Sequence, residues 1–413
     1  MKQISLNKIN GVLSAPTSKS MMQRYVALAV LSDRTTTIIN PSLCDDGLAS
    51  IEIAKSLAAK ISLQDNLLSI TPTKGLPDYI TLNCSESGTS FRLFSAIASL
   101  YNKPIKLTGS GTLLKRPMTM IEQTLSSCNV SVLSNKGFAP LTITGPINSN
   151  SILVDGSESS QLLSGLIIAC STCPNNTHIK VTNLKSKPYV SMTLKACLEF
   201  GINIESSDLL DEFKITGNQT PRATYITVEG DWSGASFLLV AAAITGNITI
   251  TNLSINSTQA DTKILSALAD FGAKITSTHD TITVEKNKNL AFDFDATDCP
   301  DLFPPLVALA AAADGISHIK GANRLIHKES NRALALIQEY SKIGIKVLQE
   351  DDLLVILGGN PKGGIVDSHD DHRIAMSLAI SALRSPSTIT INGSNSVNKS
   401  YPNFFKDLES VYE

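Results

Sequence analysis

Lysines and arginines occupy unusual places in this sequence, at the starts of stretches that predict helices. Residues 14–24 read SAPTSKSMMQR, and the apolar run YVALAVL follows at 25–31. Thr17 or Ser18 is expected to cap this helix, which places Lys19 in its first turn. A helix N-terminus carries partial positive charge, so a cation there is unfavourable by a few tenths of a kcal/mol unless an anion lies nearby. The pattern therefore indicates an anion-binding site.

Similar cations recur at other predicted helix starts. One such residue is ordinary solvated surface, but a local rule that is broken at several equivalent places indicates a functional site. The starts SKS, SGTS and SESSQ add hydroxyl donors for phosphate and carboxylate oxygens. Two phosphate monoesters at about −1.5 to −2 charges each, with two carboxylates, would match this supply of cations, so a pair of small anionic metabolites is expected. The cations are Lys19, Arg24, Arg92, Arg116, Lys187, Lys328, Arg332, Arg373 and Lys399.

Two carboxylates accompany these cations. Asp301 lies in CPDLFPP between two prolines, and Glu329 lies in HKESNR between Lys328 and Arg332. Either could simply be a first-turn acid that favours the helix dipole. Within an anion site they are the natural proton carriers, because arginine does not release a proton and lysine does so only when its pKa is lowered.

The elements that must position these residues repeat along the chain. Six segments open with small or polar residues and continue into an apolar, helix-like stretch, at a spacing of about 70 residues. A generic α/β protein with coincidental spacing is the alternative. The segments start near Ser18, Gly88, Ser157, Trp232, Asp301 and Asp371.

A second set of amphipathic helices keeps the same spacing, and strand pairs such as AKITSTHDTITVEK separate it from the first set. Each repeat therefore reads strand, helix, strand, helix, strand, strand, and six repeats in two domains give three per domain. Residues 14–227 are predicted to form one lobe, and residues 1–13 with 228–413 the other, with two chain crossovers. The strand predicted over 2–9 should pair with the last repeat. The second helices start near Asp46, Arg116, Lys187, Ala260, Lys328 and Pro402.

Composition narrows the class of protein. The net charge of −2 over 413 residues disfavours a nucleic-acid partner. Seven scattered cysteines, including a lone CxxC at Cys170 and Cys173, suit free thiols in a reducing cytosol better than a disulfide framework or a metal site. The apolar runs 237–244 and 306–313 are much shorter than the roughly 20 residues that span a bilayer. With no hydrophobic segment in MKQISLNKING, a cytoplasmic protein without a membrane partner is expected.

The order of motifs resembles that of the 5-enolpyruvylshikimate-3-phosphate synthases, the shikimate-pathway transferases of chorismate and aromatic amino acid biosynthesis. The motifs cover nearly the whole chain with near-family spacing: SKSMMQR, SGTSFR, KRPM, SSQ, SKPY, VEGD, CPD, KESNR, DDHR and NKSYP. The resemblance implies a two-lobed inside-out α/β barrel of six βαβαββ repeats, three per lobe. The lobes would close on the substrates.

The resemblance also implies the ligands of individual residues. No cofactor or metal is implied, and a monomer is expected. Shikimate 3-phosphate would contact Ser20, Arg24, Ser159, Ser160, Gln161, Ser186, Tyr189, Asp301 and Lys328, and phosphoenolpyruvate would contact Lys19, Gly88, Thr89, Arg116, Gln161, Arg332, Arg373 and Lys399.

The chemistry implied by the resemblance is addition followed by elimination through a tetrahedral adduct. Asp301 would accept the proton of the 5-hydroxyl as it attacks C2 of the enol, while Glu329 or Lys19 protonates the methylene carbon. Phosphate then leaves as the proton transfers reverse. Preorganised cations aimed at the leaving phosphate would supply most of the stabilisation.

The sequence departs from the family pattern at several positions: Thr17, Glu86, Asp370 and Arg324 replace residues that are common or recurrent there. Glu86 matters most, because an added carboxylate beside a bound phosphate would weaken binding unless a cation neutralises it.

Three other functions remain to be weighed. The related transferase that acts on a UDP-aminosugar typically has a reactive cysteine in the loop that corresponds to 108–119, and TGSGTLLKRPMT has none. The RNA 3′-phosphate cyclases share the repeat but need a nucleophilic histidine, for which His372 is the candidate, and a basic surface. A non-catalytic anion-binding relative would be expected to lack Asp301 or Glu329, and both are present.

Overall fold

A computed structural model describes residues 1–73, 75–326 and 328–413. The chain divides into two compact units, here called the terminal unit (Met1–Pro16 with Glu229–Glu413) and the middle unit (Thr17–Val228). The predicted crossings lie after residues 13 and 227. Residues 15 and 16 belong to the terminal unit because Ala15 N donates to Thr251 O at 3.0 Å and Asp231 N donates to Pro16 O at 2.7 Å. Across the three described ranges, no helix combines the length and the apolar character that a membrane crossing requires.

The N-terminal segment forms two strands, β1 (Lys2–Ile4) and β2 (Asn10–Ser14), where one strand over residues 2–9 is predicted. Between them, Leu6 N donates to Ser385 O and Asn7 N donates to Leu383 O, just after the helix that ends at Ala382. These two amides therefore cannot join a strand ladder. β1 pairs antiparallel with residues 389–391, which confirms the predicted pairing with the last repeat.

The middle unit contains three repeats. Its helices are α1 (Lys19–Val30), α2 (Asp45–Ser56), α3 (Gly88–Ala98), α4 (Thr119–Ser126), α5 (Gln161–Thr172) and α6 (Lys187–Glu199), and its strands are β3 (Thr36–Ile39), β4 (Lys60–Gln64), β5 (Leu67–Thr71), β6 (Ile80–Asn83), β7 (Ile105–Thr108), β8 (Ser131–Asn135), β9 (Phe138–Thr144), β10 (Ser151–Asp155), β11 (Thr177–Thr182), β12 (Ile204–Ser206), β13 (Glu212–Ile215) and β14 (Tyr225–Thr227).

Each repeat of the middle unit builds one four-stranded sheet. The strand orders are β14-β3-β5-β4, β6-β7-β9-β8 and β10-β11-β13-β12. In each sheet the first two strands are parallel and the others antiparallel. The leading strand of the first repeat is β14, which is the last strand of the unit in sequence.

The remainder of the terminal unit repeats the same pattern. Its helices are α7 (Trp232–Thr245), α8 (Ile264–Phe271), α9 (Phe303–Ala310), α10 (Arg332–Lys342), α11 (His372–Ala382) and α12 (Phe404–Ser410), and its strands are β15 (Asn247–Thr251), β16 (Lys274–Ser277), β17 (Thr281–Glu285), β18 (Asp293–Asp295), β19 (Ile316–Lys320), β20 (Lys346–Glu350), β21 (Leu353–Leu357), β22 (Gly364–Asp367) and β23 (Ile389–Asn392).

The sheets of the terminal unit have the orders β2-β15-β17-β16, β18-β19-β21-β20 and β22-β23-β1. β2 therefore supplies the leading strand of the fourth repeat, and β1 supplies the last strand of the sixth. The chain has the predicted α/β fold of six repeats, three in each unit.

The first helix of each repeat lies in the interior of its unit. All residues of α7 and α11 are buried, and α3 packs against α5 as α9 packs against α11. A helix that is apolar around its whole circumference must be surrounded by protein. The strands instead alternate, as the buried and exposed positions of β10 show. Each sheet thus covers a helical interior with one face and meets solvent with the other.

Candidate active site

Two guanidinium groups lie at the N-terminus of α3 in the middle unit. A Cβ atom on Gly88 would be 2.8 Å from Arg116 Nη1 and 2.9 Å from Arg92 Nη1, so glycine permits this approach. Both arginines are buried, at 6% and 8% exposure. The helix terminus adds its own partial positive charge. Arg116 Nε has no hydrogen-bond partner within the described ranges. These features suit an anionic ligand, as the sequence predicts.

Gln161 joins this site to the next repeat. It begins α5, its Oε1 accepts from Arg92 Nη1 at 3.1 Å, and its Nε2 donates to Thr89 Oγ1 at 2.8 Å. Hydrogen bonds thus link three predicted residues, Gly88, Thr89 and Gln161, through Arg92, and Arg116 lies next to Gly88. Arg92 was noted among the misplaced cations but was not assigned to a ligand.

Lys19 begins α1, as its position after the cap predicts. Ser18 caps the helix by accepting a hydrogen bond from Met21 N. Lys19 Nζ donates to Asp46 Oδ2 at 2.7 Å, and the two residues are 9% and 7% exposed. Asp46 lies in the first turn of α2, where a negative charge is favourable. A carboxylate of the protein therefore faces the misplaced lysine, and Asp46 was predicted only as the start of a helix.

Arg24 links α1 to α6. Its guanidinium donates to Ser20 O at 2.6 Å, to Tyr189 O at 2.9 Å and to Thr193 Oγ1 at 2.8 Å, and the residue is only 1% exposed. The other residues predicted to contact shikimate 3-phosphate from this unit lie at or just before the N-termini of α1, α5 and α6. They are Ser20, Ser159, Ser160, Gln161, Ser186 and Tyr189.

Arg332, the first residue of α10, contacts the predicted acidic residues of the terminal unit. It is fully buried, and its guanidinium contacts three carboxylates: Asp301 Oδ1 at 2.8 Å, Glu329 Oε2 at 2.5 Å and Asp371 Oδ2 at 2.8 Å. Burial alone would lower the pKa of Arg332, but the three negative charges outweigh it and raise the pKa above its usual value. Arg332 is therefore a permanent cation within an acidic cluster.

Asp301 is shared by two arginines. Its Oδ1 accepts from Arg332 and its Oδ2 accepts from Arg373 Nη2 at 2.9 Å. Burial opposes ionisation of Asp301, but the charges of Arg373, Lys328 and Arg332 prevail and hold its pKa well below the usual range. In this state Asp301 is a stable carboxylate and a weak base.

Two lysines complete the predicted set in the terminal unit. Lys399 Nζ donates to Asp370 O at 2.6 Å. Lys328 is half-buried, and burial lowers its pKa to about 8, although the charge of Asp301 acts in the opposite direction. Lys19, Arg116, Arg332, Arg373 and Lys399 are all 9% exposed or less, so none of them is an ordinary solvated cation.

Sequence reasoning did not identify two acidic residues of the terminal unit. Asp371 caps α11 and also accepts from Ser330 Oγ at 3.1 Å. Asp261, 3% exposed, has its pKa raised to about 7 by burial and by the charge of Asp301, against the effect of Arg373. A hydrogen bond from Arg373 Nη1 to Ser233 Oγ lies beside it. An acid at a predicted helix start was the signal for both residues, and Asp371 also lies in the DDHR motif.

The six repeats, three in each of two units, form a fold that solved enolpyruvyl transferases share. The crystal structure of the enolpyruvyl transferase NikO from Streptomyces tendae, 17% identical, matches with a TM-score of 0.80 over 100% of this chain and 97% of that chain. The structure of EPSP synthase from Acinetobacter baumannii, 25% identical, matches with a TM-score of 0.83 over 100% and 98%.

Sequence comparisons identify the family. The family model for EPSP synthase (3-phosphoshikimate 1-carboxyvinyltransferase) matches residues 5–408. Proteins named 3-phosphoshikimate 1-carboxyvinyltransferase are similar over nearly their full length: that of Thermococcus kodakarensis is 36% identical over 99% of both chains, and that of Methanosarcina acetivorans is 37% identical over 99% of this chain and 97% of its own. The chain belongs to the EPSP synthase family of enzymes.

Proposed function

We propose that this chain transfers the enolpyruvyl group of phosphoenolpyruvate to the 5-hydroxyl of shikimate 3-phosphate and releases phosphate. The observation that carries the proposal is the pairing of Asp301 with both Arg332 and Arg373, because it joins a proton acceptor to two cations that suit a carboxylate or phosphate. The anion site at Gly88 supports it from the middle unit. The family match supplies the identity of the substrates.

The cations divide by ligand in this proposal. Phosphoenolpyruvate contacts Lys19, Gly88, Thr89, Arg116 and Gln161 of the middle unit, and Arg332, Arg373 and Lys399 of the terminal unit. Shikimate 3-phosphate contacts Ser20, Arg24, Ser159, Ser160, Gln161, Ser186 and Tyr189 of the middle unit, and Asp301 and Lys328 of the terminal unit.

The proton transfers follow from the state of Asp301. The substrate carboxylate competes with Asp301 for Arg332 and Arg373, and a carboxylate that loses a cationic partner gains basicity. Asp301 then accepts the proton of the 5-hydroxyl as its oxygen bonds to C2, and Glu329 or Lys19 protonates the methylene carbon. The C2–O bond to phosphate breaks from the tetrahedral adduct, and the methyl group returns a proton as the enol re-forms.

One assay tests the proposal. Purified protein is mixed with phosphoenolpyruvate and shikimate 3-phosphate, and phosphate release is followed, with a UDP-aminosugar as the alternative acceptor in a parallel reaction. Release that requires shikimate 3-phosphate supports the proposal. Release only with the UDP-aminosugar would favour the sister transferase, and binding of both substrates without release would indicate a non-catalytic relative.

We further propose a cytoplasmic monomer, for which light scattering should give a mass near 44.1 kDa.

Gly88→Ala is expected to raise the KM for phosphoenolpyruvate about tenfold. The added methyl carbon would lie 2.8 and 2.9 Å from the guanidinium nitrogens of Arg116 and Arg92, so both must move away. Weakening one hydrogen bond to a charged group is enough for about a tenfold loss of affinity. Steady-state kinetics with saturating shikimate 3-phosphate measure the change. Gly364→Ala is the control, because its added carbon would meet its nearest neighbour at an ordinary 3.6 Å; equal KM values in both variants would contradict the assignment.

Affinity for shikimate 3-phosphate is expected to fall above pH 8. Burial lowers the pKa of Lys328 to about 8, so the ammonium loses its proton as the pH rises through that value. If only the charged lysine binds, the KM rises about tenfold per pH unit above the pKa, while the substrate phosphate, with a second pKa of about 6, stays fully ionised. Kinetics between pH 7 and 9.5 measure the slope. Lys328→Arg should flatten it, and the same slope in that variant would show that another group titrates.

A further inference from the structure

Glu86 lies two residues before the first residue of α3, beside the anion site of the middle unit. Its Oε2 accepts from Thr112 N at 2.8 Å and from Thr112 Oγ1 at 2.9 Å. Thr112 is the second residue of the 3-10 helix Gly111–Lys115, where a backbone N–H needs an acceptor. The carboxylate expected to disturb a bound phosphate is therefore hydrogen-bonded to the turn that precedes Arg116.

The same threonine hydroxyl contacts Arg116. Arg116 Nη2 donates to Thr112 Oγ1 at 3.0 Å. A hydroxyl has one proton, and a carboxylate can only accept, so Glu86 fixes the direction of that proton and leaves an oxygen lone pair for the guanidinium. If the hydroxyl rotated, its proton would point at Arg116 and repel it. The charge of Glu86 thus orients Thr112, and Thr112 orients Arg116.

The turn is built around this carboxylate. Gly111 has a φ of 52°, and a Cβ atom there would lie 2.4 Å from the carboxyl carbon of Glu86, so only glycine fits beside it. At the other end of the contact, Arg116 Nη1 lies next to Gly88, and Arg116 Nε has no partner within the described ranges. One edge of the guanidinium is held by Thr112 while donors remain for a ligand.

We propose that Glu86 and Thr112 are positioning residues that hold Arg116 for the anionic group of its substrate. The inference rests on the proposed function, in which that group belongs to phosphoenolpyruvate. Neither residue contacts the reacting atoms. The contact instead lowers the cost of ordering a long side chain before the ligand arrives. A turn that Glu86 and Thr112 merely stabilise is the alternative, and it predicts a different pattern of kinetic effects.

Thr112→Val and Thr112→Ser separate the two roles. Valine keeps the shape of threonine without its hydroxyl, and it is expected to raise the KM for phosphoenolpyruvate about tenfold, the typical effect of losing one hydrogen bond to a charged group. The kcat and the KM for shikimate 3-phosphate should stay within about twofold. Serine retains the hydroxyl and should restore the wild-type KM. The control is Ser134→Ala, which removes a hydroxyl that donates to Glu122 at 2.7 Å in the same repeat and should leave every constant unchanged.

A double-mutant cycle makes the test specific. In an Arg116→Lys background, Thr112→Val should add little further effect, because the contact it removes is already lost. Full additivity, or a wild-type KM in Thr112→Val, would overturn the proposal.

Titration of the full chain with inorganic phosphate is run in parallel. If the wild type transfers no enolpyruvyl group, the proposed function fails, and the positioning role is judged by phosphate affinity: about tenfold weaker in Thr112→Val and restored in Thr112→Ser supports it, and equal affinity refutes it.

Discussion

Asp301→Asn is expected to abolish most turnover while strengthening the binding of phosphoenolpyruvate. The Asp301 carboxylate is paired with Arg332 at 2.8 Å and with Arg373 at 2.9 Å. A substrate carboxylate must compete with it for those guanidinium groups. Asparagine has nearly the same shape and no charge, so it competes less and cannot accept the hydroxyl proton. The expected loss in kcat is about 10²- to 10⁴-fold.

The opposite directions of the two effects make this prediction specific. Steady-state kinetics should show a lower KM for phosphoenolpyruvate together with the lower kcat, and calorimetric titration should confirm the tighter binding. Asp295→Asn is the control, since Asp295 ion-pairs with an exposed lysine, Lys320, at 3.3 Å, away from the arginine cluster. A kcat within threefold of wild type would remove Asp301 from the proton transfers. A raised KM with normal kcat would assign it to binding alone.

The repeat architecture could be predicted because capping residues and apolar runs mark where each repeated helix begins. The first helices begin at Lys19, Gly88, Gln161, Trp232, Phe303 and His372, within a few residues of the predicted positions. Caps and apolar runs are local signals, and an apolar helix has no stable alternative to burial. The strand predicted over residues 2–9 was wrong in extent, because the hydrogen bonds that interrupt it come from residues more than 370 positions away.

The cations of the site were predictable and their partners were not. A basic residue in a first helical turn breaks a local rule, so Lys19 and Arg373 could be found by inspection. Asp46 and Asp371 obey the local rule, since an acid at a helix N-terminus is favourable, and nothing near them in sequence marks their ion pairs. The hydroxyl of Thr112 gives even less signal, because only its position between Glu86 and Arg116 distinguishes it from other threonines.

One arrangement recurs in both units: a buried cation is paired with a carboxylate of the chain. Lys19 contacts Asp46, and Arg332 contacts Asp301. A buried cation without a partner would be costly, so these carboxylates stabilise the cations. In the proposed function, an anionic substrate replaces a carboxylate of the chain, so its binding free energy is the difference between two ion pairs. Buried cations can therefore bind the substrates without holding them too tightly.

Arg332→Gln is expected to lower the free energy of unfolding of the terminal unit by about 3–5 kcal/mol at neutral pH, as is typical when one partner of a buried ion pair is removed. Arg332 is fully buried and contacts Asp301, Glu329 and Asp371 at 2.5 to 2.8 Å. Without Arg332, the negative charges of these three carboxylates repel one another with less neutralising positive charge nearby. Turnover should be lost as well if Arg332 binds phosphoenolpyruvate.

The pH dependence of this deficit has a definite sign. Asp301 has its pKa lowered in the folded protein, so its ionised form stabilises the fold above the unfolded value of 3.8, and that contribution is lost progressively as the pH falls from 3.8 through the lowered folded pKa. Because Arg332 is one of the causes of the lowered pKa, Arg332→Gln reduces the contribution. The deficit should therefore be nearly constant from pH 7 down to about 4 and should shrink as the pH falls below 3.8.

Urea unfolding at several pH values measures the deficit, and the chain contains its own reporter. Trp232 is the single tryptophan of the sequence and is fully buried at the start of α7, so its fluorescence follows the terminal unit alone. Arg384→Gln is the matched control in the same unit, because its guanidinium donates to the carbonyl oxygens of Ala311 and Gly359. Its loss should be smaller, about 1.5–3 kcal/mol, and nearly independent of pH. A stability of Arg332→Gln equal to wild type at pH 7 would show that the three carboxylates do not depend on this arginine.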